Sequence, residues 1–168
     1  MIRSGWLVCL GALVLSLAGC NHQTSSQTSA GSTSMTPAGP TRPANTADEN
    51  TWGNYLAEVG KLHGHDVAMR PYIYVIPAGD SIAANARRQN ETDSVVHSIG
   101  PILMPGGMLI LGGPDAKQTT LFIADVAKPL KADALKGIVV LVVSDASQQA
   151  TIGNALKPSG ATVRFVAM

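Results

Sequence analysis

The chain has 168 residues, 45% apolar, 14% charged and 4% aromatic, and twelve Lys plus Arg stand against eleven Asp plus Glu, a formal charge of +1. That length fits one domain of ordinary size, and so small a net charge creates no one-signed field to draw nucleic acid or another polyanion. Compact runs of Val, Ile, Leu and Ala through the carboxyl-terminal part of the chain exclude a wholly disordered protein, because they supply a core to bury.

The amino terminus opens with a single basic residue, Arg3, followed by an apolar stretch from Trp6 to Leu17. A helix needs roughly 20 apolar residues to cross a bilayer. This run is shorter and matches the apolar region of a signal peptide. It breaks at Leu17-Ala18-Gly19-Cys20, which resembles the lipobox of bacterial lipoproteins, small residues followed by a cysteine.

The resemblance covers only the signal region, and an ordinary secretory signal with an incidental Cys20 is the other reading. What it implies is specific. Residues 1–19 are a signal peptide cut before Cys20, the Cys20 sulfur carries a diacylglyceryl group, and the new amine is acylated. One acyl chain holds a protein only marginally, whereas two or three, at about 0.8 kcal/mol per buried methylene, make release negligible. Asn21, rather than Asp, after the cysteine implies the outer membrane, with the domain facing the periplasm. The expected partners are the membrane, through the lipid, and an envelope protein or cell-wall material. No nucleic acid and no cofactor are expected.

Cysteine usage then closes a second question. The chain has two Cys; Cys9 leaves with the signal peptide and Cys20 is consumed as a thioether, so no thiol remains for a disulfide, a redox pair or a metal site. Loss of Arg3 leaves the mature chain formally neutral.

From residue 20 to 47 the sequence is dominated by Ser, Thr, Gly, Pro, Ala, Asn and Gln, which cannot offset the entropy of being ordered. This stretch is expected to be a flexible tether whose root-mean-square span is on the order of 30 Å. Residues 48–168 are expected to form a single domain.

Within it, Trp52, Tyr55, Leu56, Val59 and Leu62 recur at helical spacing, with Asp48 and Glu49 at the start and Gly64 at the stop, so a helix is predicted over 48–63. Tyr72-Ile73-Tyr74-Val75-Ile76, between Pro71 and Pro77, reads as a strand. Further strands are predicted at Met108 to Leu111, Gly137 to Val143 and Thr162 to Val166. Helices are expected between them at Ile82 to Arg88, with a second piece through Val95 and Ile99, at Gln118 to Ala127 and at Ser147 to Leu156. The middle strands are apolar on successive positions, as strands covered on both faces are. This alternation predicts an α/β fold, a small, mostly parallel sheet of about four strands with helices on its faces.

Three strand ends echo one another: VIPAGDSIAAN, LILGGPDAKQT and LVVSDASQQA place Asp80, Asp115 and Asp145 in equivalent positions. Asp is a preferred helix N-cap, which is the simpler reading of each. Parallel sheets also gather strand ends at one edge, where a crevice would let these carboxylates act as cation ligands or as an acid and base. The GxGxxG, Walker A and GxSxG patterns that would name a nucleotide site or a serine hydrolase are missing.

His63-Gly64-His65-Asp66 is the densest tract of metal-ligating types, with His63, His65 and Asp66 as candidate ligands and His97 as a possible addition, beside the reading of a polar turn after a helix. Arg87-Arg88 reads either as a solvated helix end or as an anion holder. Three functions stay open, one of them a structural spacer in an envelope complex, which the sequence does not separate from the first of the other two. One is a lipid-anchored binding or assembly module, the expectation favoured over catalysis, marked by an apolar patch away from the lipid-bearing end. The other is an envelope-tethered enzyme or small-ligand receptor that uses the strand-end Asp residues.

Overall fold

The computed structural model describes residues 39–168. The predicted signal peptide, Cys20 and the tether up to residue 38 lie outside the described residues. The element order is α1 (Glu49–His63), β1 (Tyr72–Val75), α2 (Ile82–Ser98), β2 (Met108–Gly112), α3 (Ala116–Ala127), β3 (Val139–Ser144), α4 (Gln149–Leu156) and β4 (Thr162–Ala167). A 3₁₀ turn at Ala146–Gln148 leads into α4, and another at Lys157–Ser159 leads out of it. The strands form one sheet in the order β1-β2-β3-β4, all parallel, so the α/β architecture expected from the alternation is the one found.

Strand order follows chain order, and successive right-handed crossovers therefore place α2, α3 and α4 on the same face. Side chains alternate accordingly. Leu109, Leu111, Val140 and Val142 pack under Phe122, Ile123 and Val126 of α3 and Ile152 and Leu156 of α4. Met108, Ile110, Leu141 and Val143 point the other way, against Trp52, Tyr55, Leu56 and Val59 of α1. Because β2 and β3 are covered on both sides, they have no polar face to alternate with. β1 and β4 are the edges, and most of their residues are half-buried.

Helix α1 is capped as its sequence suggests, with the Asp48 carboxylate accepting from the Thr51 backbone N–H at 2.8 Å. That hydrogen bond holds the Asp48 carboxyl below the usual carboxylate range. Gly60 lets the helix lie close on the sheet, since a Cβ there would overlap the side chain of Ile110.

Helix α2 differs from expectation. It is one helix over Ile82–Ser98 and not a short helix plus a second piece. Its buried positions, Arg88, Thr92 and Val95, recur at helical spacing, but two of the three are polar, so apolar periodicity alone breaks the helix in the wrong place.

Candidate functional site

The carboxyl ends of the strands come first, because open α/β sheets place ligands there, in the crevice where successive connections diverge to opposite faces. This sheet has no such point. All three crossover helices lie on one side, so successive connections do not diverge to opposite faces.

The three strand-end carboxylates do not form a common site. Asp115 caps α3, accepting from the Gln118 backbone N–H at 3.1 Å. Asp145 accepts from the Ser147 backbone N–H at 2.8 Å; hydrogen bonds from Ser147 hold its carboxyl below the usual range. Asp80 is not a cap. Ser81 takes that role for α2, accepting from the Ala84 backbone N–H at 3.1 Å, and Asp80 instead accepts from the Gln118 side-chain amide. Gln118 thus joins Asp80 to Asp115, while Asp145 turns to its own helix start. Ser144 Oγ, at the end of β3, is buried without a partner among the described residues.

Part of the expected tether dresses this same edge. The Trp52 indole N–H donates to the Ala44 carbonyl at 3.2 Å, and the Arg42 guanidinium lies 5.9 Å from the Trp52 ring centroid. Asn45 and Ala47 help to line a cleft of about 190 Å³ with Pro77 and Pro114. The folded body therefore begins before Asp48, because a buried indole N–H needs an acceptor and residues 44–47 bring one. Arg87 closes the edge further: one of its terminal nitrogens donates to both Glu49 carboxylate oxygens at 2.6 Å, tying α2 to the start of α1.

The Arg87-Arg88 pair is not a helix end, and of the two only Arg87 is exposed to solvent. Arg87 is that strap, and Arg88 is only 7% exposed, its guanidinium donating to the Pro77 carbonyl at 2.7 Å and to the Asn85 side chain. Helix α2 continues past both, so neither is free to fray into solvent.

In the histidine tract, Asp66 and the His63 carbonyl are clamped by Arg164. Arg164 of β4 donates to both Asp66 carboxylate oxygens, at 2.8 and 2.6 Å, and to the His63 carbonyl. This ion pair holds the Asp66 carboxyl low and the Arg164 guanidinium high. His97 lies on α2, across the sheet from α1, with Nδ1 2.6 Å from the Asp93 carbonyl oxygen. Among the described residues no three His, Cys, Asp or Glu side chains are placed to hold a metal.

The amino ends of the strands are the more open region. A cleft of about 410 Å³ lies between the carboxyl-terminal half of α1 and the start of β1, its walls including Gly60, Gly64, Met69, Ile73 and Met108. A second, of about 490 Å³, is lined by Met69, Arg70, Pro71, Tyr72 and Ile73, so the two adjoin. Lys61 and Arg70 bring positive charge to the first cleft; Lys61 pairs with Glu58 at 2.6 Å, and Arg70 makes no ion pair among the described residues.

The outer edge of β1 runs beside these clefts. Ile76 donates its N–H to the Gly112 carbonyl, and in a parallel ladder both groups of alternate residues face the same neighbour. Tyr72, Tyr74 and Ile76 therefore face β2, leaving N–H and C=O of Ile73 and Val75 directed outward. Leu62, at the last turn of α1, and Ile102 and Met104, in the loop before β2, are exposed at this end of the sheet. Sequence reading missed the region because Met69, Arg70 and Pro71 form no motif.

No family model, no curated protein and no solved structure matches this chain.

Proposed function

We propose that the protein is a lipid-anchored envelope lipoprotein whose periplasm-facing domain is a binding module, moored to the outer membrane through Cys20, and that it receives an extended segment of an envelope protein along β1. One observation carries this reading: the adjoining clefts lie at the amino ends of the strands, beside the start of the outer β1 edge, whereas residues 42–47 approach the sheet at the carboxyl ends. A docking surface at the opposite end of the sheet from residues 42–47 stays clear of that segment.

Strand addition explains why those features occur together. An added strand draws affinity from main-chain hydrogen bonds, here to Ile73 and Val75, and specificity from pockets that take alternate side chains. The clefts supply the pockets. Arg70, which makes no ion pair among the described residues, favours a segment that carries acidic residues beside its apolar ones. The alternative of an enzyme built on Asp80, Asp115 and Asp145 is the less favoured, because each of those carboxylates already accepts a hydrogen bond from within the fold.

Crosslinking in intact cells followed by purification tests the proposal. The unaltered protein is expected to fractionate with the outer membrane and to yield a discrete adduct. Cys20→Ser is expected in the soluble fraction, and Arg70→Glu is expected to stay on the membrane with the adduct reduced about tenfold, the loss of roughly 1.4 kcal/mol. A Cys20→Ser protein that remains on the membrane contradicts the anchor, and an Arg70→Glu protein with an undiminished adduct contradicts the docking surface.

A further inference from the structure

We propose that the cleft between α2 and α3 is a binding site for a small carboxylate with an apolar arm, gripped by the guanidinium of Arg88. The site is separate from the β1 edge. It has a volume of about 230 Å³ and is lined by Arg88, Thr92, Gln118, Leu121 and Phe122, among others.

Its chemistry rests on two buried polar side chains. Arg88 is 7% exposed, and its only hydrogen-bond acceptors among the described residues are neutral, the Pro77 carbonyl and the Asn85 side chain. No carboxylate of the described residues forms an ion pair with it. Buried charges are ordinarily paired, and a guanidinium has five N–H donors, so this one retains both its charge and unused donors. Thr92 is 6% exposed and also borders the cleft, and its hydroxyl has no hydrogen-bond partner among the described residues. Both side chains project from one face of α2, four residues apart, as neighbours on a helix do.

The remaining walls select among anions. A planar guanidinium matches a planar carboxylate in a two-point contact, and the Thr92 hydroxyl can donate a further hydrogen bond. Phe122 is buried and Leu121 half-exposed, which gives the organic part of the ligand an apolar wall. Asp125 also borders the cleft, but it pairs with Lys128 at 2.6 Å, which offsets its repulsion of an anion. The volume lies below the roughly 300 Å³ at which drug-sized pockets begin, so the ligand is a group of a few non-hydrogen atoms, such as a short-chain acid or the carboxyl end of a larger molecule.

Titration of the purified full-length protein in detergent with propionate, followed by NMR at the Arg88 side-chain Nε–H and the Thr92 amide, tests the assignment. Propionamide, of the same shape without the charge, and inorganic phosphate serve as the comparison probes. Propionate is expected to shift both signals with a Kd on the order of millimolar, and propionamide to shift neither. Thr92→Val, which keeps the side-chain shape and the fold, is expected to weaken propionate about three- to tenfold, the effect of one lost hydrogen bond. Arg88→Gln is expected to remove binding. Equal binding of propionamide, undiminished binding by Thr92→Val, or no shift with propionate at about 50 mM, far above a millimolar Kd, would overturn the site. Phosphate binding tighter than propionate would overturn the carboxylate assignment.

Discussion

The two ends of the sheet are built from the same four strands and do opposite things. At the carboxyl ends, polar groups are numerous and already engaged: Asp115 and Asp145 hold helix starts, Asp80 and Gln118 hold each other, and Arg87 holds Glu49. Residues 44–47 fold over what is left. At the amino ends, the Asp66–Arg164 clamp stands near two clefts walled by Met, Pro, Ile and glycine, with Arg70 at their rim. The carboxylates at the carboxyl ends are thus spent on holding the fold, whereas the clefts at the amino ends keep an apolar wall and a cation open. The cause is topological. Sequential strand order puts three helices on one face and leaves α1 to cover the other alone, so the flank of β1 beyond α1 stays open.

The sharpest way to break this comparison is at Trp52, which is 1% exposed and joins α1 to the segment over the carboxyl ends. Trp52→Ala is expected to cost about 3–5 kcal/mol, the loss for a large buried aromatic side chain, measured by urea or thermal unfolding. A loss under about 1 kcal/mol would mean that this end is not structural. Next in size is a change at the opposite end. Met69→Asp puts a charge between the two clefts and is expected to reduce partner capture about tenfold or more, with an unfolding midpoint near that of the unaltered protein.

Acid acts on both ends alike. Asp48, Asp66 and Asp145 all have lowered pKa values, from hydrogen bonds with Thr51, Arg164 and Ser147 respectively. A carboxylate whose folded pKa is depressed contributes stability that is fully present above its unfolded value, about 3.8, and is lost as pH falls through the folded value. Stability is therefore expected to be flat from neutral pH to about pH 5 and to decline below about pH 4, with a shallower decline in Asp66→Asn; equal slopes would show that the Arg164 clamp does not form. The smallest effect is expected from Asp115→Asn. Asn caps helices about as well as Asp, so unfolding should change by no more than about 0.5 kcal/mol and partner capture not at all. Loss of capture in that variant would return function to the strand ends.

Much of the fold was legible because its signals are local. Successive apolar residues in β2 and β3 announced strands covered on both sides, and Trp52, Tyr55, Leu56 and Val59 announced the buried face of α1. Helix α2 was read short because Arg88 and Thr92 occupy core-facing positions where apolar side chains are expected. The doublet Asp80-Ser81 offers two good caps in a row, and only the structure shows that the serine is used while Asp80 reaches Gln118. The partner of Asp66 is still further from local rules, since Arg164 lies at the other end of the domain sequence. The clefts had no signature at all: they arise from what α1 leaves uncovered, and that depends on strand order.

Photo-crosslinking from paired positions in living cells measures the central claim most directly. A photoreactive amino acid is placed at Met69, at the amino ends of the strands, or at Ala78, at the carboxyl ends, in otherwise unaltered protein. The predicted result is a discrete protein adduct from position 69 that disappears in the Arg70→Glu background, with none from position 78. An adduct from position 78 alone would contradict the claim.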